Sequence, residues 1–172
     1  MAVRKMTEGV SGWNNKTPFP KDRYTIYCLS EEFAPSQGGN PMLKREWEIV
    51  APEQVQIGDR NVSVGGLKIV QYVVTKVKDQ ETETWDQVKS DKAFGRFRDD
   101  LVTMGYDKED IDDENPPCFA QGKTVEAIVY AKEDVARKSP TPEQLRKGQK
   151  QSDPIKDESG KDIKTYQLQI ES

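Results

Sequence analysis

Lys68, Tyr72, Lys76 and Lys78 fall within one alternating apolar stretch, "NVSVGGLKIVQYVVTKVK", and Tyr130 and Lys132 within another, "KTVEAIVYAK". If the purely apolar rows of these stretches form the core, alternation turns these side chains outward. The same rule adds Lys44 from "MLKREWEIV" and Arg23 and Tyr27 from "DRYTIYCLS". Cations interleaved with flat rings on one sheet suit a particular chemistry. The cations neutralise phosphates, and the rings stack on unpaired bases at about 1–3 kcal/mol each, with little regard to base identity. A duplex hides its base faces, so the pattern favours a single strand. The competing reading is a solvated sheet face that binds nothing, with Tyr72, flanked by valines, packing under the N-terminal segment or a long loop.

The residue inventory removes most other chemistry. With no histidine in 172 residues there is no Ser-His-Asp or Cys-His catalysis and no imidazole metal site. The two cysteines, Cys28 in "IYCL" and Cys118 in "PPCFA", are too few for structural zinc and read as reduced packing residues. Neither GxxxxGK[ST] nor GxGxxG occurs. A non-enzymatic protein without cofactor is therefore expected. The segment "YDKEDIDDENPP" gathers six acids between Asp107 and Glu114, but it lacks the fixed glycine of a calcium loop. It reads as a solvated acidic turn without metal, or as a surface that recruits partners or keeps nucleic acid off that side. The net charge of −4 means that any nucleic-acid role needs a local cationic face. No apolar run approaches the roughly 20 residues of a membrane span, and "MAVRKMTEGVSGWNNKTPFP" lacks a signal-peptide centre. A soluble, cytoplasmic protein without a membrane partner is expected.

These side chains need elements to position them. Residues 1–20 read as a flexible arm in which Trp13 is the one candidate for docking, and residues 21–172 as a single domain. Strands are expected over Asp22–Ser30 and Met42–Val50, the latter with Leu43, Trp47 and Ile49 on one face and Lys44, Glu46 and Glu48 on the other. Arg45 shares the core-side row and is expected near a barrel rim. "APEQVQIGDR" reads as a polar connection. A long third strand spans Asn61–Lys78, its Gly65-Gly66 pair marking a bulge or sharp coil. The period then changes to 3.6: Phe94, Phe97, Leu101 and Met104 form one helical stripe, capped by Ser90 or Asp91 and ended by Gly105. A fourth strand lies at 123–132, a long polar loop at 133–163 and a last strand in "KTYQLQIES".

Three strands, a helix and two strands is the layout of a mainly β, five-stranded OB-type barrel with its helix between strands three and four. A small mixed sheet with one helix on its face is the competing architecture. In an OB barrel the loops between strands one and two and between four and five flank the binding groove. The first would be "FAPSQGGNP", offering Phe33 as a stacking ring; the second, 133–163, offers Arg137, Lys138, Arg146, Lys147 and Lys150.

The motifs "Y-x-I-Y", "G-N-P-M-L", "W-E-I-V", "F-x-x-F-x-x-x-L-x-x-x-G" and "G-K-x-V-E-A-I-V", over residues 20–132 and again at 164–170, are structural rather than chemical. In this pattern the chain resembles small phage-encoded single-stranded DNA-binding proteins and the related phage proteins of unassigned role. The resemblance implies an OB fold and sequence-tolerant binding of single-stranded DNA, with RNA as an alternative ligand. It also implies a replication or recombination setting inside the host cell, and no catalytic residues. The sequence ends in "QIES" where bacterial single-strand binders carry a long acidic tail, so tail-mediated recruitment is not implied, and the internal acidic segment Asp107–Glu114 is the candidate substitute for recruiting replication or recombination proteins. A structural or adaptor module of a phage particle or replication complex is the alternative role.

Overall fold

The computed structural model describes residues 10–137, 141–148 and 154–171. Its elements in chain order are β1 (Val10–Gly12), β2 (Asp22–Phe33), β3 (Met42–Ala51), β4 (Gln54–Ile57), β5 (Arg60–Ser63) and β6 (Lys68–Val74). They continue with α1 (Gln87–Thr103), β7 (Thr124–Val135), α2 (Pro142–Arg146) and β8 (Lys164–Ile170). A five-stranded antiparallel sheet runs in the order β6-β3-β2-β7-β8, and a three-stranded sheet in the order β1-β5-β4. The large sheet curls until its edge strands β6 and β8 line one cleft. No ladder of hydrogen bonds joins them, so the fold is mainly β without a closed barrel.

The expected third strand is two strands in different sheets. Gly65 and Gly66 form the corner between them. Gly66 holds φ at +87°, a region that costs a side-chain-bearing residue about 1–2 kcal/mol, and its N–H donates to Ile49 O at 2.8 Å. A Cβ on Gly65 would sit 3.3 Å from Glu53 Cα. The stretch expected as a polar connection supplies β4, which pairs with β5 in a hairpin.

The segment expected as a flexible arm belongs to the fold from residue 10 onward. β1 pairs in parallel with β5, and Tyr166 N–H donates to Asn15 O at 2.8 Å, so this segment reaches from the small sheet to β8. Trp13 packs edge-on against Phe19 at 5.6 Å, and buried Phe19 lies 5.2 Å from the Tyr24 ring. The main core gathers Tyr24, Ile26, Cys28, Trp47, Ile49, Ile69, Val129 and Leu168, the inward rows of the strands.

Helix α1 starts earlier than expected. Asp86 is its cap, accepting from Lys89 N–H at 3.0 Å, while Ser90 is buried and pins the helix by accepting from Val77 N–H at 2.9 Å. Gly105, φ +94°, follows the last turn as expected. Phe97 and Leu101 pack with Leu43 in a second cluster that Met104 joins, whereas Phe94 is half-buried and belongs to neither cluster.

The expected loop 133–163 carries the end of β7, α2 and two isolated bridges, Arg137↔Pro154 and Lys156↔Asp162. Of its cations, Lys138 and Lys150 lie outside the described residues. Among the described residues no helix is long and apolar enough to cross a membrane.

Candidate functional site

On the outward face, register brings specific pairs together. Lys44 lies directly opposite Tyr72, Glu46 opposite Val70 and Glu48 opposite Lys68. On its other side Glu48 lies opposite Tyr27, so Tyr27, Glu48 and Lys68 form one row across three strands. The glycine corner does not flip the register: Ile69 is buried while Lys68, Val70 and Tyr72 are exposed, Tyr72 at 57%.

The face is less cationic than a list of its lysines suggests. Glu46 Oε1 lies 3.5 Å from Lys68 Nζ, and Glu126 Oε2 lies 3.7 Å from Arg23 Nη1. Both pairs are largely exposed, so each contributes about 0–1 kcal/mol, yet each cancels a cation's charge as seen from a distance. Arg23 and Tyr27 therefore sit on the face but within a salt-laced part of it.

At the seam between the two edge strands Lys44 forms no ion pair among the described residues, although Glu32 lies opposite it on its other side. The cleft there measures about 520 Å³, with Lys44, Val70 and Tyr72 on one wall and Gln167, Gln169 and Ile170 on the other. Behind that second wall Tyr130 lies opposite Gln169 and Lys132 opposite Gln167. Tyr130 Oη donates to Gln169 Oε1 at 2.9 Å, and Trp47 Nε1 donates to Gln71 Oε1 at the cleft floor, also at 2.9 Å. An indole N–H only donates, so the Gln71 amide must present its oxygen to Trp47, which leaves its NH2 for other partners. The structure thus places Lys44 and Tyr72 on the cleft itself, and Tyr130 and Lys132 one strand behind its second wall. Gln167 and Gln169 carry no local signal, because β6, the strand across the cleft from them, is more than ninety residues away in sequence.

Other expected site residues lie elsewhere. Phe33 pairs with buried Leu43 and so occupies the row facing α1, although it is 42% exposed at the strand end. Lys76 and Lys78 lie beyond β6, where alternation has ended. Lys76 Nζ bonds Glu114 Oε1 at 3.0 Å and sits 4.5 Å from the Trp85 ring centroid; Lys78 Nζ is 5.4 Å from the same ring. The acidic segment is therefore anchored at its end, where Thr75 Oγ1 also donates to Asp113 O at 2.7 Å. The loop "FAPSQGGNP" is tied down as well: Lys78 N–H donates to Asn40 Oδ1 at 2.8 Å and Thr75 N–H to Pro41 O at 3.1 Å.

Arg45 is not at a rim. It is 1% exposed and donates from Nε to Glu31 Oε2, while Glu31 Oε1 accepts from Ala120 N–H at 2.8 Å. Arg45 Nη2 is buried without a partner. Nearby, burial and the Glu31 charge push the Cys28 thiol up to about 11, against the lowering effect of Arg45. Cys28 is buried as expected, whereas Cys118 is exposed rather than packed. Among the described residues no group of three or more His, Cys, Asp or Glu side chains is placed to hold a metal ion.

No family model, curated protein or solved structure matches the chain.

Proposed function

We propose that the protein binds single-stranded DNA without sequence preference and without catalysis, through the cleft between β6 and β8. The observation that carries this reading is the juxtaposition of Lys44 and Tyr72 as cross-strand partners at the rim of a cleft whose far wall is amide-lined. The ring can stack on a base, the ammonium can meet the adjoining phosphate, and the glutamine amides can bond base edges. The strand order β6-β3-β2-β7-β8, with α1 between β6 and β7, supports a partly open OB-type barrel. The replication or recombination setting is the one the phage-family resemblance implies.

The test is a tryptophan-fluorescence titration with oligo-dT at two salt concentrations. Tyr72→Ala should weaken binding by about 1–3 kcal/mol with little change in salt dependence. Lys44→Ala should lower the salt slope by about 0.7, the value for one phosphate contact on a single strand. Parent-like binding by both folded variants would remove the cleft from consideration.

The interleaved acids Glu46, Glu48 and Glu126 favour a second reading, an adaptor module whose salt-laced face meets another protein. Absence of salt-sensitive oligonucleotide binding would put that reading first.

A further inference from the structure

A second groove shares the edge of β6 with the cleft. It measures about 450 Å³ and runs between β6 and α1, with Tyr72 and Val74 on the strand side and Lys89, Lys92 and Arg96 on the helix side. Spacings of 3 and 4 place the three cations on one helical face. All three are exposed, and among the described residues none forms an ion pair; Asp79 feels Lys89 only through a longer-range attraction. The acid in the groove is Asp100, at its far end. This is the reverse of the outer sheet face, where Lys68 and Arg23 have partners.

The helix carries these charges against its own interest. Beyond the capping Asp86, its first turn holds no acid and its last turn no base, while Lys89 stands in the first turn and Asp100 in the last. A helix dipole favours the opposite arrangement, and like charges one turn apart repel. Local rules broken in this concerted way mark places where something other than folding sets the residue types.

We propose that the groove between α1 and β6 is a second subsite for the same single strand, in which Lys89, Lys92 and Arg96 take phosphates. Tyr72 lines both the cleft and the groove, so a strand leaving the cleft passes this ring and continues along the helix. The inference rests on the single-strand reading above and extends its path from the sheet edge onto the helix. An anionic ligand that spans the three cations would relieve their mutual repulsion, which no ion pair among the described residues offsets.

The experiment compares oligo-dT of about 4 and about 16 nucleotides, the range of site sizes for one such fold. The parent, the triple variant Lys89→Ala/Lys92→Ala/Arg96→Ala, and the exposed single variant Lys92→Glu are titrated at several salt concentrations, with poly-glutamate as a control anion. The triple variant should bind the short oligonucleotide like the parent and lose about 2 from the salt slope for the long one. Its thermal midpoint should not fall; if it does, the slope change is read from Lys92→Glu, which should weaken only the long oligonucleotide. A parent that binds both oligonucleotides while the variants keep its long-oligonucleotide slope overturns the groove and leaves the cleft standing. A parent that binds neither overturns both, and poly-glutamate binding as tightly as oligo-dT overturns the assignment to nucleic acid.

Discussion

Arg45 and Glu31 form an ion pair that water does not reach, with side-chain exposures of 1% and 0%. They are cross-strand partners on the inward row, and the register shift between Cys28 and Ser30 is what turns Glu31 inward. A bulge therefore decides that Arg45 has a partner at all. Taking two charges out of water costs several kcal/mol each, and the pair offsets that cost only while both members are present. Arg45→Met alone should destabilise the fold by about 3–5 kcal/mol, because it leaves the Glu31 carboxylate with Ala120 N–H as its remaining partner. Adding Glu31→Gln, which keeps an acceptor for that N–H, should recover most of the loss. Chemical denaturation measures both; a single-variant cost below about 1 kcal/mol, typical of exposed pairs, would contradict the sealed geometry.

Cys28 makes stability depend on alkaline pH. Its folded pKa is raised from 9.0 to about 11, so below pH 9 both folded and unfolded thiols are protonated and the stabilising difference is fully present. As pH rises from 9 towards 11 the unfolded thiol ionises first, and stability falls. Cys28→Ala should flatten that part of the pH profile. In the native state at neutral pH, a maleimide should modify Cys118 and spare Cys28, because one is exposed and the other buried. Rapid labelling of both thiols would refute the burial of Cys28.

Lys76 should behave unlike Lys44. Its ammonium already bonds Glu114 and covers the Trp85 ring. Lys76→Ala should leave the oligonucleotide salt slope unchanged, shift Trp85 emission, and cost about 0.5–1 kcal/mol of stability through the lost cation–π contact. A slope that falls as it does in Lys44→Ala would return Lys76 to the binding face.

Lys89 occupies the third position after the Asp86 cap, where a glutamate would complete a reciprocal capping arrangement. Lys89→Glu should therefore stabilise the protein by about 0.3–1 kcal/mol at low ionic strength while weakening long-oligonucleotide binding. Thermal unfolding checks the first effect and titration the second. A variant that is both less stable and binding-competent would show that Lys89 serves the fold instead.

The sequence was most legible where a period of 2 met a single sheet. Leu43, Trp47 and Ile49 are buried with Lys44, Glu46 and Glu48 on the other side, as alternation required. It failed where the chain changed sheets or left them. Extending the alternation past Val74 placed Lys76 and Lys78 on a face they do not share, since nothing local announces the end of β6. Trp13 docks, as its place in a polar segment suggested, but it does so on Phe19, which in turn meets Tyr24, a partnership that composition cannot reveal. Lys89, Lys92 and Arg96 flank the apolar stripe of α1 beside Phe97, and a charged flank of that kind has the sequence pattern of any solvated helix edge. The cleft itself depended on β6 meeting β8 at long range, which no local pattern encodes.

The unjoined seam has a mechanical meaning. A sheet closed by a ladder can widen only by breaking rungs, each a hydrogen bond with a net worth of about 0.5–1.5 kcal/mol. Here β6 and β8 face each other without rungs, and Asn15 bonds only at the Tyr166 end of β8. The curled sheet is a split ring: widening it would break side-chain packing between its edges but no backbone ladder.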